Sequence, residues 1–254
     1  MLAALAWLEV ERANLLAAIT QATATPAIPA ALVGQLTRGL FGFFLVRGYW
    51  QDGVQANQTA LELARRVQDQ AAQAHALIDL GAVYRRLGRF HQAIACLQES
   101  LAIFRRLGDR DSQAASLTNL GAAHEWLGRH DEAIAHLRES LTICGELGDQ
   151  LGRAISLTNL GGAYERLGQH DAAIACLRES LTISRELGGP YVQAEALRSL
   201  GDALHAVARN EQARSVWQEA LTICQALQVP EADEIRTRIA TLPSERPAPA
   251  NGSR

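Results

Sequence analysis

The sequence predicts an all-α solenoid of about five helical hairpins, closed by a capping helix at each end. Three observations predict it: a forty-residue internal period, helical spacing of the apolar residues inside each period, and glycines where that spacing breaks. Composition agrees. Hydrophobic residues make up 48% of the 254, charged residues 20% and aromatics 5%, with alanine and leucine abundant, which favours close-packed helices over sheets.

The hexapeptide "SLTNLG" stands at 116–121 and again at 156–161. The same forty-residue shift superposes Leu77, Leu117, Leu157 and Leu197, then Leu80, Leu120, Leu160 and Leu200. It also superposes Gly81, Gly121, Gly161 and Gly201, then Ala93, Ala133, Ala173 and Ala213. Blocks 114–153 and 154–193 agree at 26 of their 40 positions. A worn copy precedes them, in which "GYWQDGVQANQTALELA" (48–64) aligns with "GRFHQAIACLQESLAIF" (88–104).

Each block reads as two helices. Leu117, Leu120 and His124 recur at three- and four-residue steps and mark one face of the first. "LGRH" breaks the pattern, because Gly128 can adopt the left-handed conformation that ends a helix. The second runs from about Asp131, an acid well placed for a helix start, through Ile134, Leu137, Leu141 and Ile143 to Gly148. Neither helix can bury its apolar face alone, so neighbouring pairs must stack. Gly121 and Ala133 are expected where the two helices cross, since small side chains permit a short interaxial distance. A bulky residue at either place should cost about 1–3 kcal/mol.

The order Leu, Leu-Gly, aromatic, Ala resembles the tetratricopeptide repeat, over about residues 34–228. The blocks fall near 34–73, 74–113, 114–153, 154–193 and 194–228. They are six residues longer than the common 34-residue form, about 9 Å of extra helix, and so resemble the long-repeat subclass of that family. The resemblance implies a right-handed solenoid in which the first helix of each block lines a concave groove. The column just before "LG" then points into the groove: Asp79, Asn119, Asn159 and Ser199. An asparagine amide both donates and accepts, so it can pair with one peptide unit of an extended chain. Repeats about 9–10 Å apart and a strand rise of about 3.3 Å per residue would let Asn119 and Asn159 grip a backbone about three residues apart.

Around that column the groove is expected to show Arg85, Arg86, Glu125, Trp126, Glu165, Arg166, Arg198, Asp202 and His205. The mixture of signs does not reproduce the basic clamp of chaperone-tail-binding relatives, which argues against a simple C-terminal carboxylate ligand. Trp126 is a candidate anchor for an apolar ligand side chain. The alternatives are that Trp126 covers a neighbouring helix, that the asparagines merely solvate the groove, and that Glu125 pairs with Arg85.

The ends differ from the middle. Residues 1–33 form an N-terminal capping region whose helix, roughly Leu2 to Thr20, offers Leu5, Leu8, Leu15, Leu16 and Ile19 as a stripe. In the first block Phe41 replaces the glycine of later blocks, and Phe43 and Phe44 follow, which reads as a capped repeat or as an interdomain joint. "WLEVERANLLAAI" resembles the segment just before the repeat arm of bacterial signal-transducing ATPases, which implies a regulatory arm as the second functional reading. Residues 229–242 should form the C-terminal cap, with Ile235, Ile239 and Leu242 inward, and 243–254 a flexible tail.

Other functions find little support. All 24 basic residues are arginine, so neither a P-loop lysine nor a lysine Schiff base is available. The net charge of −3 gives no basic footprint for nucleic acid. The N-terminus carries Glu9 and Glu11 and resembles neither a signal peptide nor a membrane span. Cys96, Cys144, Cys176 and Cys224 lack metal or redox spacing, and a reducing cytoplasm is expected. His124, His130 and His136 are not gathered on one face, so no metal site is expected. No cofactor or catalytic residue is expected; the anticipated partner is a protein or peptide, with self-association through the N-terminal helix as a further possibility.

Overall fold

A computed structural model describes residues 2–24 and 30–242. Its helices are α1 (Leu2–Ala24), α2 (Ala30–Arg47), α3 (Trp50–Arg66), α4 (Gln70–Arg86), α5 (Phe90–Leu107) and α6 (Arg110–Trp126), followed by α7 (His130–Leu147), α8 (Gln150–Arg166), α9 (His170–Leu187), α10 (Pro190–Ala206), α11 (Asn210–Leu227) and α12 (Glu231–Thr241). The pairs from α2/α3 to α10/α11 are five antiparallel hairpins stacked in chain order, with α1 and α12 packed on the two ends.

Helix starts and stops follow the repeat. Asp69, Asp109 and Asp149 cap α4, α6 and α8, each carboxylate accepting a backbone N–H three residues on, at 2.9, 3.0 and 3.0 Å. Each satisfies one of the donors that a helix start leaves without a partner. Gly128 in the α6–α7 turn and Gly148 after α7 have φ of +72° and +69°, the left-handed region that a side chain strains. Asp131 lies in the first turn of α7, which begins at His130.

Inside a hairpin the glycine column sets the spacing. A Cβ placed on Gly81, Gly121 or Gly161 would stand 2.5 Å from the Cγ of Leu97, Leu137 or Leu177 respectively. Leu137, one turn beyond the fully buried Ala133, therefore makes the close approach to Gly121. In the last hairpin the indole of Trp217 fills this place above Gly201, and its Nε1–H donates to the Arg198 carbonyl at 3.1 Å.

Between hairpins a buried seam of hydroxyls accounts for part of the repeated wording. Ser140 donates to the Ala114 carbonyl at 3.0 Å. It meets Thr118 at 2.8 Å and Ser156 at 3.0 Å, so one knot ties α6, α7 and α8. Ser180 repeats the bond one period later, to the Ala154 carbonyl at 2.7 Å, and Ser100 one period earlier, to the Ala74 carbonyl at 2.8 Å. These partners let small polar residues remain buried.

The first helices touch their counterparts in the next hairpin, α4 with α6, α6 with α8 and α8 with α10, and so form an inner row. The second helices lie outside and are linked by ion pairs: Arg65–Glu99 at 2.8 Å, Arg105–Glu139 at 2.7 Å and Arg185–Glu219 at 2.7 Å. The period places the next arginine of this ladder at 145, which is glycine, and Glu179 pairs with Arg153 instead. Nothing stands within 4 Å of a Cβ at Gly145. Gly145→Arg is therefore expected to raise stability by about 1 kcal/mol, mostly by removing a mid-helix glycine. An unchanged urea midpoint would contradict this.

At the N-terminal end Ile19, Leu40, Phe43, Phe44 and Leu63 form a separate core, with Leu8, Leu15 and Leu16 packed against it. The expected side-chain position of Leu5 and the expected tail lie outside the described residues. Arg12 bonds Asp52 and stands 4.0 Å over the Tyr49 ring, fastening α1 to α3. At the other end Ile235 and Leu242 are buried and Ile239 packs beside them, as the sequence predicts.

Candidate functional site

The inner row encloses a polar cavity of about 630 Å³, lined from α4, α6, α8, α10 and α12. Among the expected residues it gathers Arg85, Arg86, Glu125, Trp126, Asn159, Glu165, Arg166, Arg198 and Asp202. α12 adds Glu231, Glu234 and Arg238, which the sequence offered only as parts of a cap. The curvature of the row brings that cap round to face α4, a long-range consequence that periodicity does not express. The start of α10 comes round as well: the Arg86 guanidinium of α4 donates to the Tyr191 hydroxyl at 2.8 Å across 105 residues of sequence.

Three expected residues fall elsewhere. Asn119 is outside the lining, and its Nδ2 donates to the Ala115 carbonyl of its own helix at 3.0 Å. His205 sits at the α10–α11 turn, with Nδ1 2.8 Å from Asn210 Oδ1. Asp79 lines a separate recess of about 200 Å³ with Arg38, Asn57 and His75.

Burial pushes the Asp79 carboxyl up to about 7, an effect the Arg38 charge only partly offsets. The folded state thus keeps a proton that the unfolded chain releases, and stability declines as pH rises from 3.8 towards 7. Asp79→Asn is expected to be more stable than the parent at pH 8, by about 1 kcal/mol. The two should melt alike below pH 4; a difference that persisted there would contradict the assignment.

Charges within the cavity are largely paired. Arg166 Nε donates to Glu125 at 2.9 Å, so this glutamate pairs with α8 and not, as the alternative had it, with Arg85. Burial raises the Glu125 carboxyl while Arg166 draws it down. Arg198 and Arg238 both reach Asp202, and Arg238 also holds Glu234 at 2.7 Å. Gly162 leaves room beneath Glu125, whose Oε1 would be 3.3 Å from a Cβ there. Trp126 is 55% exposed, lies parallel to Phe90 at 6.0 Å and has the Arg166 guanidinium 4.8 Å from its ring centre.

Metal and thiol chemistry find no assembled site among the described residues. Among the described residues no cluster of His, Cys, Asp and Glu could hold a metal. His124 and His136 lie 5.3 Å apart between α6 and α7, away from the cavity lining. Burial raises all four thiols, the opposite of what a reactive cysteine needs. No described helix is long and apolar enough to cross a membrane.

Stacked hairpins with an inner row around a polar cavity define a helical-repeat protein. The chain belongs to the tetratricopeptide repeat family, whose model matches residues 42–106, 112–186 and 153–226. No curated protein matches it in sequence. Among solved structures it resembles BtubC (BKLC) from P. vanneervenii, with a TM-score of 0.67 at 19% identity, over 95% of this chain and 96% of that one. It also resembles NprR in complex with its cognate peptide NprX, with a TM-score of 0.68 at 15% identity, over 92% of this chain and 65% of that one. A third is the Rap conjugation gene regulator of plasmid pLS20 in complex with the Phr* peptide, with a TM-score of 0.70 at 14% identity, over 82% and 56%. At such identities these likenesses establish a shared fold.

Proposed function

We propose that this chain is a non-catalytic interaction module that binds a peptide segment of a partner protein in its concave cavity. The observation that carries this reading is the cavity itself, where Trp126, Asn159 and paired and unpaired charges face a common space of about 630 Å³. Its size and mixed lining suit several residues of extended peptide, with Asn159 able to bond main chain and Trp126 able to cover an apolar side chain. The peptides bound by the NprR and Rap neighbours lend support by fold analogy. Asn119, outside the lining, has its amide N–H engaged on its own helix and keeps its carbonyl oxygen as an acceptor. The reading needs no cofactor, nucleic acid or membrane.

The test compares proteins captured from the source organism's lysate by the wild-type chain and by the folded Asn119→Ala/Asn159→Ala variant. A partner lost only from the variant supports the cavity. A partner retained equally by both counts against it.

A second reading, a regulatory arm that docks on a signalling ATPase, draws on α1. Trp7 is 58% and Val10 77% exposed there, whereas Phe43 and Phe44 of the candidate joint are buried. This reading moves the contact surface from the phenylalanines to Trp7 and Val10.

A further inference from the structure

The turns that join one full hairpin to the next stand along one edge of the stack, and each carries an exposed apolar residue. Val67 is 52% exposed, Leu107 45%, Leu147 47% and Leu187 49%. They close α3, α5, α7 and α9 at one repeat position. A lone exposed leucine is ordinary on a protein surface. Four in a row, about 9–10 Å apart, make an apolar stripe about 30 Å long that calls for a cover.

The charges beside the stripe change sign half-way along it. The residue before each apolar one is Arg66, Arg106, Glu146 and Glu186 in turn. Each turn covers six residues: 66–71, 106–111, 146–151 and 186–191. The aspartates at 69, 109 and 149 hold the backbone N–H groups that start α4, α6 and α8. The remaining charges are Arg66 in the first turn, Arg106 and Arg110 against Asp111 in the second, Glu146 in the third and Glu186 in the fourth. The turns therefore run +1, +1, −1, −1. Within the chain Arg110 bridges the change of sign by its bond to Glu146.

Such a row is complementary to itself reversed. A two-fold axis in the contact plane, running from the inner helices to the outer ones, reverses the order of the turns and leaves each repeat position facing itself. It sets Leu107 against Leu147 of a second copy and Val67 against Leu187. Arg106 then meets Glu146, and Arg66 meets Glu186.

We propose that this edge is a homodimer interface, on which a second copy of the chain packs antiparallel. The carboxylate of Glu146 has two oxygens, so it can hold Arg110 of its own chain and Arg106 of the other. None of these residues lines the cavity, so the dimer stands whether or not the cavity takes a peptide. The same axis keeps the two cavities open on one side of the pair. A partner with two binding segments would be held at both, with the gain in avidity that a linked pair brings. Leu147 meets the second copy in this arrangement, so a photoreactive group there joins two chains and captures no other protein.

The test is sedimentation equilibrium of the whole chain over a wide concentration range, at low and at physiological salt. Wild type is compared with Arg106→Glu, with Glu146→Arg and with an equimolar mixture of the two variants. Both side chains are exposed, which limits any effect on the fold, and each variant is first checked for an unchanged helical melt. Arg106→Glu sets glutamate against glutamate in its own dimer, and Glu146→Arg sets arginine against arginine. A mixed pair restores opposite charges at both contacts. The expected result is a wild-type dimer, self-association about 10- to 100-fold weaker in each variant alone, and recovery in the mixture. A wild-type chain that stays monomeric throughout would overturn the proposal. So would a dimer that neither variant weakens, whether or not Trp7→Ser/Val10→Ser then moves the contact to α1. A mixture no stronger than its components would overturn the antiparallel pairing, and the proposal with it.

Discussion

Gly121→Val is expected to destabilise the chain by about 3 kcal/mol, the upper end of overpacking costs. The cause is local and specific. A Cβ at 121 meets Leu137 Cγ at 2.5 Å and Cδ2 at 2.8 Å, and both residues are on rigid helices at the centre of the stack. Leu137 is fully buried, so its truncation to alanine should cost about 2–5 kcal/mol on its own. The double variant Gly121→Ala/Leu137→Ala should then be more stable than the two single effects predict, by about 1 kcal/mol or more, because the small residue at 137 makes room for the new methyl group. Urea midpoints for the cycle give the coupling directly. Additive effects would show that the glycine column is not held by the crossing leucine.

Replacing the histidine pair should have the next largest effect. Tyr84 and Tyr164 occupy one repeat position, and their hydroxyls accept from Gln58 Nε2 at 3.1 Å and Arg138 Nη2 at 2.7 Å. His124 stands in the same place, buried, with neither ring nitrogen bonded. Its neighbour His136 occupies the position of Cys96 and Cys176. His124→Tyr with His136→Cys restores the pair found on either side, and Gln98 takes the place that Gln58 has beside Tyr84. Removing two buried polar atoms without partners and adding one hydrogen bond should raise stability by about 2 kcal/mol at pH 7.5.

The same variant should lose less stability in acid. Burial lowers both histidines below their ordinary 6.5, so the fold keeps them neutral where the unfolded chain takes up protons. Stability is then lost as pH falls below about 6.5, and the double variant removes two of the groups responsible. His75, lowered in the same way, remains in both proteins. Urea titrations at pH 7.5 and 5.5 should show a smaller difference for the variant than for the parent. An equal difference would contradict the assignment.

The glycine, alanine and leucine columns were legible in the sequence because each repeats at forty residues and has one steric reason for doing so. The hydroxyl seam was not, although Ser100, Ser140 and Ser180 keep the same period. Serine and threonine in "SLTN" and "RES" read as surface residues unless the partner carbonyls of Ala74, Ala114 and Ala154 are known. The cavity was legible in part. Trp126, Asn159 and most of the charged residues could be placed by period, since position within a first helix sets its inner face. Asn119 and Asn159 stand in one column of the sequence, yet only Asn159 lines the cavity, because identical sequence does not fix what a curved stack encloses. α12 was missed for a related reason: its approach to Arg85 and Arg86 accumulates over all five hairpins, and no short stretch encodes it. Nor could the sequence separate committed from uncommitted arginines, which depends on side-chain pairing such as Arg166 with Glu125.

The central claim, that the concave cavity holds the partner, is tested most directly by site-specific photo-crosslinking in the source organism's lysate. A photoreactive phenylalanine analogue would replace Trp126 in the cavity, Trp7 on α1 or Leu147 on an outer helix, one site at a time. The account predicts a single strong partner adduct from position 126, diminished when Asn159 is also changed to alanine, and none from 147. A partner adduct from position 7 with none from 126 would contradict it and place the contact on the N-terminal helix.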